Sequence, residues 1–386
     1  MIFNSLGSNY NATYVLRSLF KQDKGARKSL ELYLESKYKG KAQLVYKGRQ
    51  GITVALECLN LPANSEVGIA AFTCVAVVDA IKSAGLTPLF LDINKDTLNF
   101  TAQTLKDSLK KSKVRVVIVQ NTLGYACDIE KIFKICKEKN LILIEDLAHS
   151  IGTIYSNGQE AGTVGDFAIF SFGQDKAVDS VSGGAVVARN TKYTIPTIEK
   201  TDKTTTRDKI YPLLTFVIRK TYFLQLGKVI HFISSICGIL SNPMKPGTQK
   251  NMSDWHAMLA LNEFHELEKN LLHRRKIARI YSENIHKKVL SKHVCSTIEK
   301  ATHLRYPIFF ERRNELINVL KKHNAYLSSV WYKNPVSSSK ISESEKSISP
   351  ESDSVMLSIL NLPTHINTTL KDARKISNII NAYLEK

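Results

Sequence analysis

Lys176 closes the segment Phe170-Ser-Phe-Gly-Gln-Asp-Lys176, thirty residues after Asp146 in Leu141-Ile-Leu-Ile-Glu-Asp146-Leu-Ala-His149. A lysine amine can condense with an aldehyde to an imine. A carboxylate at the end of an apolar strand can hold a pyridine nitrogen protonated, so that the ring accepts the electrons of a carbanion. An acid and a lysine in these settings are what pyridoxal phosphate chemistry asks of a protein. In isolation the pair decides little, because most lysines are solvated surface groups and an aspartate at a strand end is commonly a turn residue.

The elements around the pair give it a setting. Val67-Gly-Ile-Ala70, Thr87 to Asp92, Val114 to Val119 and Leu141 to Glu145 are near-continuous apolar runs of strand length. Helical patterns at Val75 to Ser83, Thr101 to Lys110 and Asp128 to Lys139 lie between them. Continuous apolar strands alternating with helices predict a mostly parallel sheet covered on both faces, an α/β fold. In such a sheet ligands sit at the carboxyl ends of the strands, where Asp146 falls. Beyond it, Asp254 to Val289 reads as one long amphipathic helix, followed by a strand at Arg305 to Phe310 and helices at Glu315 to His323 and Leu370 to Leu384. The Ser- and Glu-rich stretch Ser337 to Ser354 is predicted to be a surface loop. The expected division is an N-terminal helical segment over 1–42, a large α/β domain over 43–250 and a small α+β domain over 251–386.

The chain of 386 residues carries 54 Lys and Arg against 35 Asp and Glu, a net charge of +19. That balance favours an anionic partner. Residues 200–250 alone hold nine basic and two acidic residues. No arginine-rich arm, zinc-finger spacing or RRM-type aromatic motif accompanies the charge, so nucleic acid is not expected. Six cysteines, at 58, 74, 127, 136, 237 and 295, lack any CxxC spacing, which fits scattered reduced thiols and no metal site. The first ten residues lack a charged region followed by an apolar core, so the expected compartment is the cytoplasm.

Taken in order, the landmarks resemble the fold type I pyridoxal phosphate enzymes and, among them, the DegT/StrS-type sugar-nucleotide aminotransferases. Lys47-Gly-Arg-Gln-Gly-Ile-Thr-Val-Ala-Leu56 is similar to the family's Ser-Gly-Thr-Ala-Ala-Leu turn and helix. Phe72 to Val77, Pro88 to Asp92, Asn121 to Gly124, Glu145 to His149, Gly162 to Phe167, Ser171 to Lys176 and Ser182-Gly-Gly184 follow at family spacing. Asn251 to Ala257 and Asn361-Leu-Pro-Thr-His365 resemble its two C-terminal signatures.

The resemblance implies a homodimer with shared active sites, binding pyridoxal 5'-phosphate. It implies that an amino group moves from glutamate or glutamine to a keto sugar, nucleotide-linked, in surface polysaccharide or secondary-metabolite sugar biosynthesis. Lys176 is then the imine-forming lysine and proton shuttle, Asp146 the partner of the ring nitrogen, and His149 a neighbour of the ring and its phenolic oxygen. Gly48, Arg49 and Gln50 fall in the turn entering a helix, where backbone N–H groups and the helix dipole favour phosphate. Ser171 joins them, Gly183 and Gly184 permit close backbone approach, and Gln249 falls near the asparagine that reaches the neighbouring subunit's phosphate. Cys74 stands where the family places an aromatic ring over the cofactor, and Gly173-Gln174-Asp175 replaces the common His-Pro-Thr. These departures leave a second reading, a catalytically inactive relative acting as a regulatory or membrane-surface binding protein.

Residues 211–240 contain no acid and three basic residues. Their uncharged run from Val229 to Met244 is too short to span a bilayer, which needs roughly 20 apolar residues. Two roles stay open for this insert. It can be a helical pair packed on the core or on a dimer partner, or a peripheral contact with the cytoplasmic face of a membrane.

Overall fold

The computed structural model describes residues 1–21, 23–199, 201, 204–240, 249–327 and 349–385. The short strand β1 (Ile2–Phe3) is followed by helices α1 (Ala12–Phe20) and α2 (Ala26–Tyr38). The α/β region then runs β2 (Lys41–Val45), α3 (Gly48–Glu57), β3 (Glu66–Ala70), α4 (Val75–Ser83), β4 (Thr87–Leu91), α5 (Ala102–Leu109), β5 (Val114–Val119), α6 (Ile129–Glu138), β6 (Ile142–Asp146), β7 (Phe167–Ser171) and β8 (Gly184–Ala188). Its seven strands stand in the order β2-β8-β7-β6-β5-β3-β4. Only β8 runs against the rest, pairing antiparallel with both β2 and β7.

Residues on β5 explain why its sequence is apolar without alternation. Val117 and Val119 enter one core layer, while Val116 and Ile118 enter the other. The first layer is completed by Leu30 of α2 and Ile132 of α6, the second by Ile52 of α3 and Ile81 of α4. A strand buried on both faces has no polar side to show. Two of the flanking helices start where side-chain oxygens take up first-turn N–H groups: Asp128 accepts from Lys131 N–H before α6, and Thr101 accepts from Thr104 N–H before α5.

The basic apolar insert forms a helical hairpin, α7 (Thr206–Thr221) and α8 (Leu226–Ile236), which pack on each other. Thr205 and Asp208 cap α7 reciprocally. The expected single helix from Asp254 to Val289 is in fact two, α9 (Asp254–His265) and α10 (Leu267–Asn284). At Glu266 the backbone turns to φ −91°, ψ −2°, and its N–H is shared between the carbonyls of Asn262 and Phe264. The apolar positions keep their period across this joint, so periodicity alone reads through it.

The remaining elements are α11 (Lys292–Ser296), β9 (Tyr306–Phe309), α12 (Arg313–Lys322), β10 (Ala325–Tyr326), α13 (Pro350–Ser358), β11 (Ile359–Leu362) and α14 (Leu370–Leu384). β9 and β11 pair antiparallel. The predicted surface loop from Ser337 to Ser354 is corrected at its end, where Pro350 begins α13 at a position that suits proline. The stretch 337–348 of that loop lies outside the described residues. β1 pairs in parallel with β10. Among the described residues no helix is long and apolar enough to cross a membrane.

Candidate active site

Two consecutive acids end β6, and strand geometry sends them to opposite faces. Glu145 turns away from the pocket and is fully buried. Its carboxylate accepts from the N–H groups of Gly162, Val164 and Gly165 at 2.6 to 2.7 Å and from the Tyr155 hydroxyl at 2.8 Å. It holds the turn that feeds β7. Glu145→Ala is expected to strip four donors, three of them buried, of their acceptor and to cost about 4 kcal/mol or more. A fall in the urea midpoint measures this, and an unchanged midpoint would refute the clamp.

Asp146 faces the other way, into a cavity of about 250 Å³ at the carboxyl ends of the strands. The cavity is lined by Gly48, Arg49, Cys74, Asp146, His149, Ser171 and Lys176, together with Lys47, Gln120 and Gln174. Seven of the predicted site residues therefore meet in one place. Gln50 is not among its walls; its side chain accepts from Lys47 N–H at 3.2 Å and shapes the start of α3. Gln249 also lies elsewhere, donating to Glu57 at 2.6 Å.

Asp146 is buried, which pushes its carboxyl up to about 6 against the opposing pull of the Ala148 N–H and of Lys176. Lys176 keeps some surface on the cavity but is ringed by protein. Loss of hydration lowers its pKa and Arg305 lowers it further, while Cys74 and Asp146 act the other way. His149 is buried and shifted well down by that burial and by Lys176 and Arg305. Its Nδ1 accepts the Leu123 N–H at 3.2 Å, so the neutral ring carries its proton on Nε2. Leu123 adopts φ 56°, a costly conformation for a branched residue, in the turn that follows β5.

The phosphate end of the expected cofactor has a specific shape. α3 starts at Gly48 with its positive dipole end toward Ser171 and the cavity. A Cβ on Gly48 would sit 2.6 Å from the Ser171 Cβ, and one on Gly184 would sit 2.5 Å from the Phe170 carbonyl oxygen. Only glycine allows the three segments to approach so closely. Arg49 lines the same wall while pairing with Asp79 at 3.4 Å. Cys74 sits at the start of α4 against the cavity, in the place expected for an aromatic ring.

A brace around the lysine is not visible in the motif. Asp175 lies at φ 64°, and its carboxylate accepts the Ser8 N–H at 3.0 Å. Asn9 donates from Nδ2 to the Lys176 carbonyl at 2.5 Å and accepts from Arg274 at 3.0 Å. Asp179 accepts from Tyr10 OH, from Asp175 N–H and from Val181 N–H. Gln120, another wall residue absent from the expected set, accepts from the Thr73 hydroxyl at 2.9 Å. The signal for Asp175 was its place beside Lys176. Nothing in sequence signalled Asn9 or Arg274.

With this geometry in hand, comparison with known proteins is decisive at the level of family. The family model of the DegT/DnrJ/EryC1/StrS aminotransferases matches residues 30–381. The chain belongs to that family. It is 36% identical to a GDP-perosamine synthase of Vibrio cholerae over 149 residues, 39% of this chain and 40% of that protein. It is 27% identical to a GDP-perosamine synthase of Escherichia coli O157:H7 over 246 residues, 63% of this chain and 58% of that one. Both matches span less than two thirds of the relatives' length. An aminotransferase structure from Psychrobacter cryohalolentis superimposes with a TM-score of 0.74 at 17% identity, covering 97% of this chain and 96% of that one. The fold of this family member is thus that of the fold type I pyridoxal phosphate aminotransferases.

Proposed function

We propose that this family member is a pyridoxal phosphate-dependent aminotransferase that moves an amino group from glutamate or glutamine to a keto sugar carried on a nucleotide. The observation that carries the proposal is the convergence of Asp146, Lys176 and the N-terminus of α3 on one cavity. The residues present fit the cofactor: a buried carboxylate for the ring nitrogen, a desolvated amine, and a glycine-built cradle with the Ser171 hydroxyl for the phosphate. Pyridoxal phosphate supplies, when bound, an electron sink for the carbanion at the carbon that gains or loses the amino group.

The protein's own groups do the rest. Burial lowers the proton affinity of Lys176, so its Nζ can take a proton from the donor carbon and return one to the acceptor carbon. Asp146, once it faces a cationic ring nitrogen, is held ionised and keeps that nitrogen charged. His149, neutral with its proton on Nε2, offers a donor to the ring oxygen. Cys74 and Gln120 form part of the wall of the same cavity. The activity for which the two GDP-perosamine synthases are named supports a nucleotide-linked sugar as acceptor. A homodimer with Gln249 turned toward the second copy's phosphate is part of the proposal, as is the large domain over 43–250 followed by the small one.

The test is the visible absorbance of the purified protein with pyridoxal phosphate, before and after adding glutamate or glutamine. A band that depends on Lys176 and is discharged by the donor supports the proposal. No band at saturating cofactor returns the lead to a non-catalytic binding protein.

A further inference from the structure

The α7–α8 hairpin is built inside out for a surface helix in water. Gly227 and Ser234 of α8 are its buried residues. Gly227 lies so near α7 that a Cβ would meet the Ile218 carbonyl oxygen at 2.4 Å. On the opposite side Leu226, Val229, Ile233 and Ile236 form a stripe at helical spacing, flanked by Phe232 and by Phe223 and Leu224 of the preceding turn, all exposed. Phe232 is 67% exposed and Ile236 70%. So large a contiguous apolar ridge marks a contact surface.

Charge identifies what it contacts. From Lys209 to Ser253 the chain has six Lys or Arg and no Asp or Glu. Lys209 and Lys220 are exposed on α7, and the Lys228 ammonium stands 5.8 Å from the Tyr222 ring centre beside the ridge. The one carboxylate of the hairpin, Asp208, is buried in the α7 cap, so a symmetric contact between two copies through the hairpin would bring like charges together with no exposed carboxylate of its own to offset them. Anionic headgroups offset them, while the ridge enters the acyl boundary. At 11 residues α8 rises about 16 Å, enough to lie in an interface and too little to cross one.

We infer that the α7–α8 hairpin seats the protein on the surface of an anionic lipid bilayer. The inner side of the hairpin supplies Tyr211, Tyr222 and His231 to a cleft of about 440 Å³ that also holds Gln174 and Asp175. Gln174 is shared with the Lys176 cavity, so the seat lies one cleft away from the catalytic loop.

The experiment is co-sedimentation of the full chain with vesicles of phosphatidylcholine, with and without phosphatidylglycerol, at low and high salt. Phe232→Glu/Ile236→Glu serves as the ridge variant, and light scattering gives the mass of both proteins. The expected result is that wild type pellets with the anionic vesicles, at least about tenfold more than with neutral ones or with the ridge variant. Both proteins should have the same mass. Wild type that stays in the supernatant with both vesicle types overturns the inference. So does a ridge variant of halved mass, because the ridge would then belong to a second copy of the chain.

Discussion

Lys176→Ala is expected to lower the rate of amino transfer by about 10⁴ or more, because it removes both the amine proposed to hold the cofactor and the base proposed to move the proton. The pocket should still bind pyridoxal phosphate, since its cradle at Gly48, Ser171 and Gly184 is untouched. Two further outcomes separate a catalytic role from a merely structural one. A small primary amine added to the solution should restore part of the rate to Lys176→Ala by occupying the space the side chain leaves. Lys176→Arg should stay inactive, because a guanidinium does not give up its proton near neutral pH. Steady-state rates with a saturating donor decide the matter. A Lys176→Ala protein that retains more than about a hundredth of the activity would remove the lysine from the chemistry.

Asp146→Asn is expected to act in opposite directions on activity and on stability. Without an ionised partner for the ring nitrogen, kcat should fall by about 10³, with a smaller change in substrate KM. The cofactor-free protein should gain stability, because the carboxyl is raised by burial from 3.8 to about 6. The sign follows from proton counting. Between those two values the folded chain holds a proton that the unfolded chain has released, so stability falls as pH rises through the window. The cost is absent below the unfolded value and complete above about pH 6. At about 1.4 kcal/mol per unit the ceiling is about 3 kcal/mol. Thermal unfolding of the cofactor-free variant should therefore exceed wild type at neutral pH and converge with it in acid. A difference that does not vary with pH would point to packing around the side chain in place of its charge.

Such a residue, costly to the empty fold and proposed to serve the chemistry, is also the kind that sequence reveals best. Asp146 and Lys176 were legible because one ends an apolar run and the other closes the turn after the next, whereas His149 and Ser171 were singled out only through the family resemblance; all four line one cavity. The parallel sheet was legible for the same reason: Val116 to Val119 can be continuously apolar only if both faces are covered. The joint at Glu266 was not, since one residue of changed ψ leaves the spacing of Leu261, Phe264, Leu267 and Leu271 almost intact. Glu145 was hidden beside Asp146, because residue type does not say which face of a strand a side chain takes. The direction of α8 was hidden too. A helical apolar stripe has the same period whether it faces the core or the solvent, and only Gly227 against Ile218 shows which way it turned. Asn9, 167 residues from the carbonyl it binds, has no local signature at all.

That last contact says something about when the protein becomes an enzyme. The strand β1 finds its partner β10 more than 320 residues later, and Arg274 holds Asn9 against the Lys176 loop. During synthesis the central sheet can close once Ala188 has emerged, yet the first residues must wait for the C-terminal unit before they can lock the lysine in place. Catalytic competence should accordingly be the last property acquired on refolding, later than the recovery of secondary structure, and activity should be a more stringent gauge of complete folding than any spectroscopic signal from the sheet.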